Sequence, residues 1–136
     1  MIGDDPFAVS VSEWIDKAKA HADLVLRAIA QDALARVKQL TPVKTGYLRS
    51  NWIVTDGTAA VAISGDRSSE SNAIIMRLKL GYPCVITNPI SYARRIEFGF
   101  VGRDSLGRHY NQHGVGMMQQ TIADMPKIAQ RAVQRV

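Results

Sequence analysis

The sequence predicts an α+β domain, with a small, mainly antiparallel sheet packed against a long N-terminal helix and a C-terminal one. Three observations predict it. Apolar residues from Trp14 to Leu40 recur at intervals of three and four, the stripe of an amphipathic helix. After Pro42 and Gly46 the period changes to two, Leu48, Ser50, Trp52 and Val54 alternating with Tyr47, Arg49, Asn51 and Ile53, as in a strand. From Met117 onward the helical spacing returns with Met118, Ile122, Met125, Ile128 and Ala132.

With 136 residues, 46% of them apolar, the chain is read as one domain, 1–136, able to bury a core without staples. No apolar run approaches the roughly 18 to 20 residues that a membrane span requires, so no membrane partner is expected. Neither a basic leader nor an apolar signal segment is visible at the start, and a cytosolic place of synthesis is the expectation. The single cysteine, Cys84, excludes an internal disulfide and reads as a small packed hydrophobe. Net charge is +5, unevenly placed. Six acidic side chains face three basic ones in residues 1–33, whereas fourteen basic face six acidic in the remainder. Such polarity suits head-to-tail contact between copies or approach to nucleic acid, and equally suits plain solvated faces.

Residues 1–9 read as a flexible arm. Ser10 and Glu13 have capping-box spacing and start the first helix. Its stripe runs to Leu40, some 28 residues or about 42 Å, long enough to span the sheet or to project onto a neighbour. Pro42 ends it, since proline lacks the N–H and biases Thr41 away from helical angles. Gly46 supplies a position that tolerates positive φ for a tight reversal. A strand over Tyr47–Thr55, an Asp56-Gly57 hairpin turn and a second strand near Thr58–Ser64 follow. Asn72–Leu80 fits either a short helix or a strand, and helix is favoured. Cys84–Thr87 reads as a third strand and Tyr92–Phe98 as a short helix closed by Gly99. Residues 99–116, with five glycines, read as a flexible loop whose length implies a function or order gained on a partner. Pro126 predicts a kink or break near Met125 in the last helix.

Catalytic and cofactor chemistry finds little support. No Gly-x-Ser-x-Gly elbow is present, and Cys84 sits among apolar neighbours with no base beside it. His109 and His113, four apart in a glycine-rich stretch with Asp104, make a poor metal set. Gly114-x-Gly116 before a helix lacks the Lys and Ser/Thr of a phosphate loop, and Glu97 reads as a pairing or capping group. The expectation is therefore no enzyme, no cofactor and no metal. Arg94, Arg95, Arg103, Arg108, His109 and Tyr110, with Lys44 and Arg49, gather basic and stacking groups around the loop. No helix-turn-helix, zinc-finger or RNP pattern accompanies them. A basic nucleic-acid-binding module is the alternative function.

Two blocks carry a resemblance to a known family. Thr41-Pro42-Val43-Lys44-Thr45-Gly46-Tyr47-Leu48-Arg49-Ser50-Asn51-Trp52 and Asn88-Pro89-Ile90-Ser91-Tyr92-Ala93-Arg94-Arg95-Ile96-Glu97-Phe98-Gly99 resemble blocks of tailed-phage minor tail component and tail-completion proteins. Gly116-Met117-Met118-Gln119-Gln120-Thr121 is similar to that family's start of the last helix. Residues 67–80 align to nothing in it. The resemblance implies a structural virion protein at the head–tail interface (the neck) of a long-tailed phage or prophage. It would complete the tail end or join it to the capsid connector, as a ring of about six copies. The implied partners are further copies, neighbouring neck, connector and tail proteins, and passing DNA contacted non-specifically. Within this reading Pro42, Gly46, Leu48, Trp52, Tyr92, Glu97 and Gly99 brace the fold. Arg94, Arg95, Arg103, Arg108, His109 and Tyr110 are the candidates for subunit or DNA-lumen contact.

Overall fold

The computed structural model describes residues 10–43, 46–56, 68–103 and 105–136. In order these form α1 (Val11–Leu40), α2 (Tyr47–Ser50), β1 (Ile53–Thr55), α3 (Ser68–Ile75), β2 (Val85–Thr87), α4 (Ala93–Phe98), β3 (Gly99–Arg103), β4 (His109–His113) and α5 (Met117–Arg135). The architecture is α+β: α1 packs on α5, and two antiparallel pairs, β1–β2 and β3–β4, accompany them.

α1 begins where its cap predicts, with Ser10 Oγ accepting the Glu13 N–H at 3.3 Å. It ends at Thr41, whose extended backbone (φ −79°, ψ 126°) precedes Pro42. Only its C-terminal half is buried, through Ala28, Ala30, Ala33, Leu34 and Val37, whereas every residue from Val11 to His21 is exposed. α5 runs antiparallel to it. Arg36 pairs with Asp124 at 2.9 Å near one end and Arg135 with Asp32 at 2.9 Å near the other. Pro126 does not break α5, which continues through it to Arg135. Pro126 and Ile122, the residue whose carbonyl loses its partner, are both exposed, so solvent can serve the freed acceptor.

The expected strand over Tyr47–Thr55 is corrected: its first half is the helical turn α2, and only Ile53–Thr55 is strand. Gly46 stands in the left-handed region at φ 80°, and Ser50 and Asn51 both turn their side chains back to the Tyr47 carbonyl. These local bonds favour a turn over a ladder. β1 then pairs with β2, Ile53 opposite Thr87 and Thr55 opposite Val85. The Asp56-Gly57 turn and the Thr58–Ser64 strand lie outside the described residues. The helix favoured for 72–80 exists but starts earlier and stops at Ile75. β2 and α4 fall within a residue of their expected starts.

Within the expected loop, 99–116, residues 99–103 and 109–113 pair as a hairpin instead, with Gly99 opposite His113 and Arg103 opposite His109. Its base explains two glycines. Gly99 sits at φ 84°, and a Cβ there would run into the Gln112 carbonyl and the Gly114 nitrogen; one on Gly114 would meet the Glu97 carbonyl. The chain crosses itself too closely for any side chain.

The main core joins Leu34 and Val37 of α1, Leu48, Trp52, Val54, Ile75, Leu78, Ile90 and Met117. Two buried polar side chains beside it are paired: Ser71 Oγ accepts the Val54 N–H at 3.2 Å, and Asn51, fully buried, donates to the Tyr47 carbonyl.

Candidate functional site

Two constellations emerge from the motif residues, one internal and one external. The internal one ties the two sequence blocks together. Thr41 Oγ1 donates to the Val37 carbonyl at 2.6 Å and accepts the Trp52 indole N–H at 2.8 Å. One hydroxyl therefore closes the end of α1 and fixes a buried aromatic ring. Asn88 Nδ2 donates to the Leu48 carbonyl at 2.8 Å, while its Oδ1 accepts the Ile90 N–H at 3.1 Å. The second block is thus fastened to the first across forty residues of chain.

Glu97 supplies the third tie. Its side chain is buried, and its two carboxylate oxygens accept the Met118 N–H at 2.7 Å and the Gln119 N–H at 3.0 Å. Those are first-turn amides of α5, which have no partner within the helix. The N-cap position of α5 is Gly116, which has no side chain to serve them. A carboxylate placed there also meets the positive end of the helix dipole. Backbone bonds from Val115 N to the Ile96 carbonyl (2.8 Å) and Gly116 N to the Glu97 carbonyl (3.1 Å) hold α4 and the start of α5 together. Between these ties lies an open cleft of about 340 Å³, walled by Trp52 from the first block, Ala93, Arg94 and Phe98 from the second, and Met118 from α5.

The other bracing candidates take different places. Leu48 is buried in the core, Pro42 is exposed beyond the end of α1, and Tyr92 is 40% exposed at the N-terminal boundary of α4.

The external constellation is the hairpin with α4. Arg95 lays its guanidinium over the Phe100 ring, 4.1 Å from the centroid, a cation–π contact. Arg103 Nε donates to His109 Nε2 at 2.9 Å. Arg94 is exposed at the cleft, and Arg108 is exposed in the turn. Tyr110 belongs to β4 opposite Gly102. The structure therefore joins Arg103 to His109 and stacks Arg95 on the hairpin's first aromatic, with Arg94 apart from them.

Cys84 is half-buried, and desolvation pushes its thiol pKa up, away from the reactive thiolate. Among the described residues no group of three or more His, Cys, Asp or Glu is placed to hold a metal ion, and no helix is long and apolar enough to cross a membrane.

Several anchoring groups carried no signal in the sequence. Asp23 Oδ1 accepts the Leu80 N–H at 2.8 Å, and Arg27 Nε donates to the Leu78 carbonyl at 3.1 Å. Both bind irregular backbone more than fifty residues away, and no local pattern marks them.

The chain belongs to the HK97-gp10-like family, described as "Bacteriophage HK97-gp10, putative tail-component", whose model matches residues 8–99. The match takes in both tied blocks and ends at the glycine that opens the hairpin. Neither a curated protein nor a solved structure matches the chain.

Proposed function

We propose that the protein is a non-catalytic building block at the head–tail interface of a long-tailed phage or prophage. It completes the tail end or joins it to the capsid connector, as an oligomeric ring that becomes part of the virion. The observation that carries this reading is how the family blocks spend their polar side chains. Thr41 and Trp52 serve each other, Asn88 holds Leu48, and Glu97 caps α5. The residues that identify the chain are consumed in rigidity, as suits a part that transmits load rather than turns over substrate. Family membership as a tail component supports the same reading. Arg94, Arg95, Arg103, Arg108, His109 and Tyr110 then serve contact with neighbouring subunits or with DNA passing the lumen, where basic groups meet phosphate without reading sequence.

Electron microscopy of a lysate from the parent phage lacking this gene tests the proposal. The expected result is DNA-filled heads beside unjoined tails, with the tail ends telling completion from length control. Intact, infectious particles would overturn it and favour the basic nucleic-acid-binding alternative. That alternative predicts DNA affinity falling steeply with salt.

A further inference from the structure

Arginines are matched differently in two parts of the molecule. Between α1 and α5 they meet carboxylates: Arg36 lies on Asp124 and Arg135 on Asp32, each at 2.9 Å. At the β3–β4 hairpin they do not. Arg103 is bound to His109 through Nε, and Arg95 lies over the Phe100 ring; neither partner carries negative charge. From Arg94 to His113 the chain holds four arginines and two histidines against Glu97 and Asp104. Glu97 is buried and committed to the Met118 and Gln119 amides. The positive charge of this element is therefore left for the surface, the electrostatic footprint of a polyanion site.

The hairpin's register divides its side chains between two faces, because directly paired residues share a face. Phe100 and Gln112 lie on the face that Arg95 covers, whereas Val101, Arg103, His109, Asn111 and His113 lie on the other. All five of the latter are exposed. None of them is acidic, and Val101 alone is apolar. A protein interface has the opposite composition at its centre, depleted of charge and enriched in apolar and aromatic groups. The face is also a row rather than a cup. From the Arg103–His109 pair to His113 is four residues of strand, or about 13 Å at about 3.3 Å per residue. A single small anion cannot engage a row of that length, but a polymer can: duplex DNA presents a phosphate about every 3.4 Å of axis on each strand. With Nε given to His109, the terminal nitrogens of Arg103 keep their N–H groups for a ligand, and a guanidinium held at its base suits phosphate.

We propose that this outward face of the β3–β4 hairpin lies along the phosphate backbone of double-stranded DNA. Arg103, Asn111 and His113 supply the contacts, with Arg108 in the adjoining turn, and the binding is indifferent to base sequence. Arg95 supports the hairpin from behind. The proposal rests on the lumen reading above and gives this face to DNA rather than to a neighbouring subunit. Family membership does not supply it, since the matched residues end at Gly99.

Fluorescence anisotropy of labelled duplexes titrated with the purified chain tests it, at about 50 mM salt and upward. Two duplexes of unrelated sequence should bind equally, and affinity should fall as salt rises. Each phosphate contact contributes about 0.9 to the slope of log affinity on log salt. Arg103→Ala should therefore lower that slope by about one and, at about 50 mM salt, weaken binding on the order of tenfold. Arg103→Lys should restore the slope, since charge rather than the planar fork displaces the counterion. Arg131→Ala, which removes the same charge from an exposed position on α5, should change neither quantity. A wild type that fails to bind at up to about 100 μM protein, the weak end of non-specific binding, would overturn the proposal. So would equal losses for Arg103→Ala and Arg131→Ala. Poly-glutamate that displaces the protein as well as unlabelled duplex at equal charge would also overturn it, making the occupant an acidic protein segment. The two readings fail separately. Gene-deleted phage with unjoined tails and a protein that does not bind DNA would leave the virion role without this contact. Binding through Arg103 with intact gene-deleted phage would leave the contact alone.

Discussion

The two halves of α1 have the same apolar period and opposite fates. From Ala28 to Val37 the stripe is buried against α5 and the core, whereas from Val11 to His21 it stands in solvent. Periodicity therefore reports which face of a helix seeks a partner, not whether the partner is in the same chain. The packed half is surrounded by specific ties: Thr41 on Val37, Trp52 on Thr41, Arg36 on Asp124. The projecting half has its Ser10 cap and, at its last turn, Asp23. Substitutions in the two halves should differ in size, with a large loss of stability for one and little for the other.

The largest expected effect is in the packed region. Trp52→Ala removes a buried ring and the indole donor to the Thr41 hydroxyl, and should cost about 3–5 kcal/mol in urea unfolding. Trp52→Phe should cost less, because it keeps most of the volume and loses only the indole donor. Equal losses would show that the hydrogen bond, rather than the packing, dominates. Next comes Glu97→Ala, which uncaps α5 in a buried setting and should cost about 1–3 kcal/mol. Amide exchange at Met118 and Gln119 should accelerate beyond the change in global stability. Uniform acceleration across the chain would deny Glu97 its local role. Gly99→Ala, forced into φ 84° against the Gln112 carbonyl, should loosen the hairpin and cost about 1–3 kcal/mol. Loss of cross-strand contacts between β3 and β4 in nuclear magnetic resonance spectra checks it.

The sequence displayed α1 better than the rest, for physical reasons. The Ser10 cap, the stripe to Leu40 and the Pro42 stop are local signals of a helix, and α1 has those limits. Tyr47–Ser50 misled because four residues cannot separate a single helical turn from alternation, and the turn is decided by the Gly46 angle and the Asn51 bond to Tyr47, conformations that the residue pattern does not display. The hairpin was hidden by β4 itself: His109-Tyr110-Asn111-Gln112-His113 has no apolar face, so it lacks the alternation that marks a half-buried strand. Glu97 was legible as a capping or pairing group, but not for α5, since Gly116 gave no hint that a carboxylate 21 and 22 residues upstream would serve Met118 and Gln119. Of the external candidates, Arg103 and His109 meet because the hairpin registers them opposite one another, a pairing hidden while the segment read as loop.

The smallest expected effect on stability is also the sharpest test of the comparison. Trp14→Ala deletes as many ring atoms as Trp52→Ala, yet Trp14 is mostly in water already, so the transfer term that penalises core truncation is nearly absent. Loss of stability should stay within about 0.5 kcal/mol, as for ordinary surface changes. Chemical denaturation of Trp14→Ala beside Trp52→Ala checks it. A loss for Trp14→Ala close to that for Trp52→Ala would place the Trp14 ring among the packed groups of the chain, and the distinction between the two halves of α1 would fail.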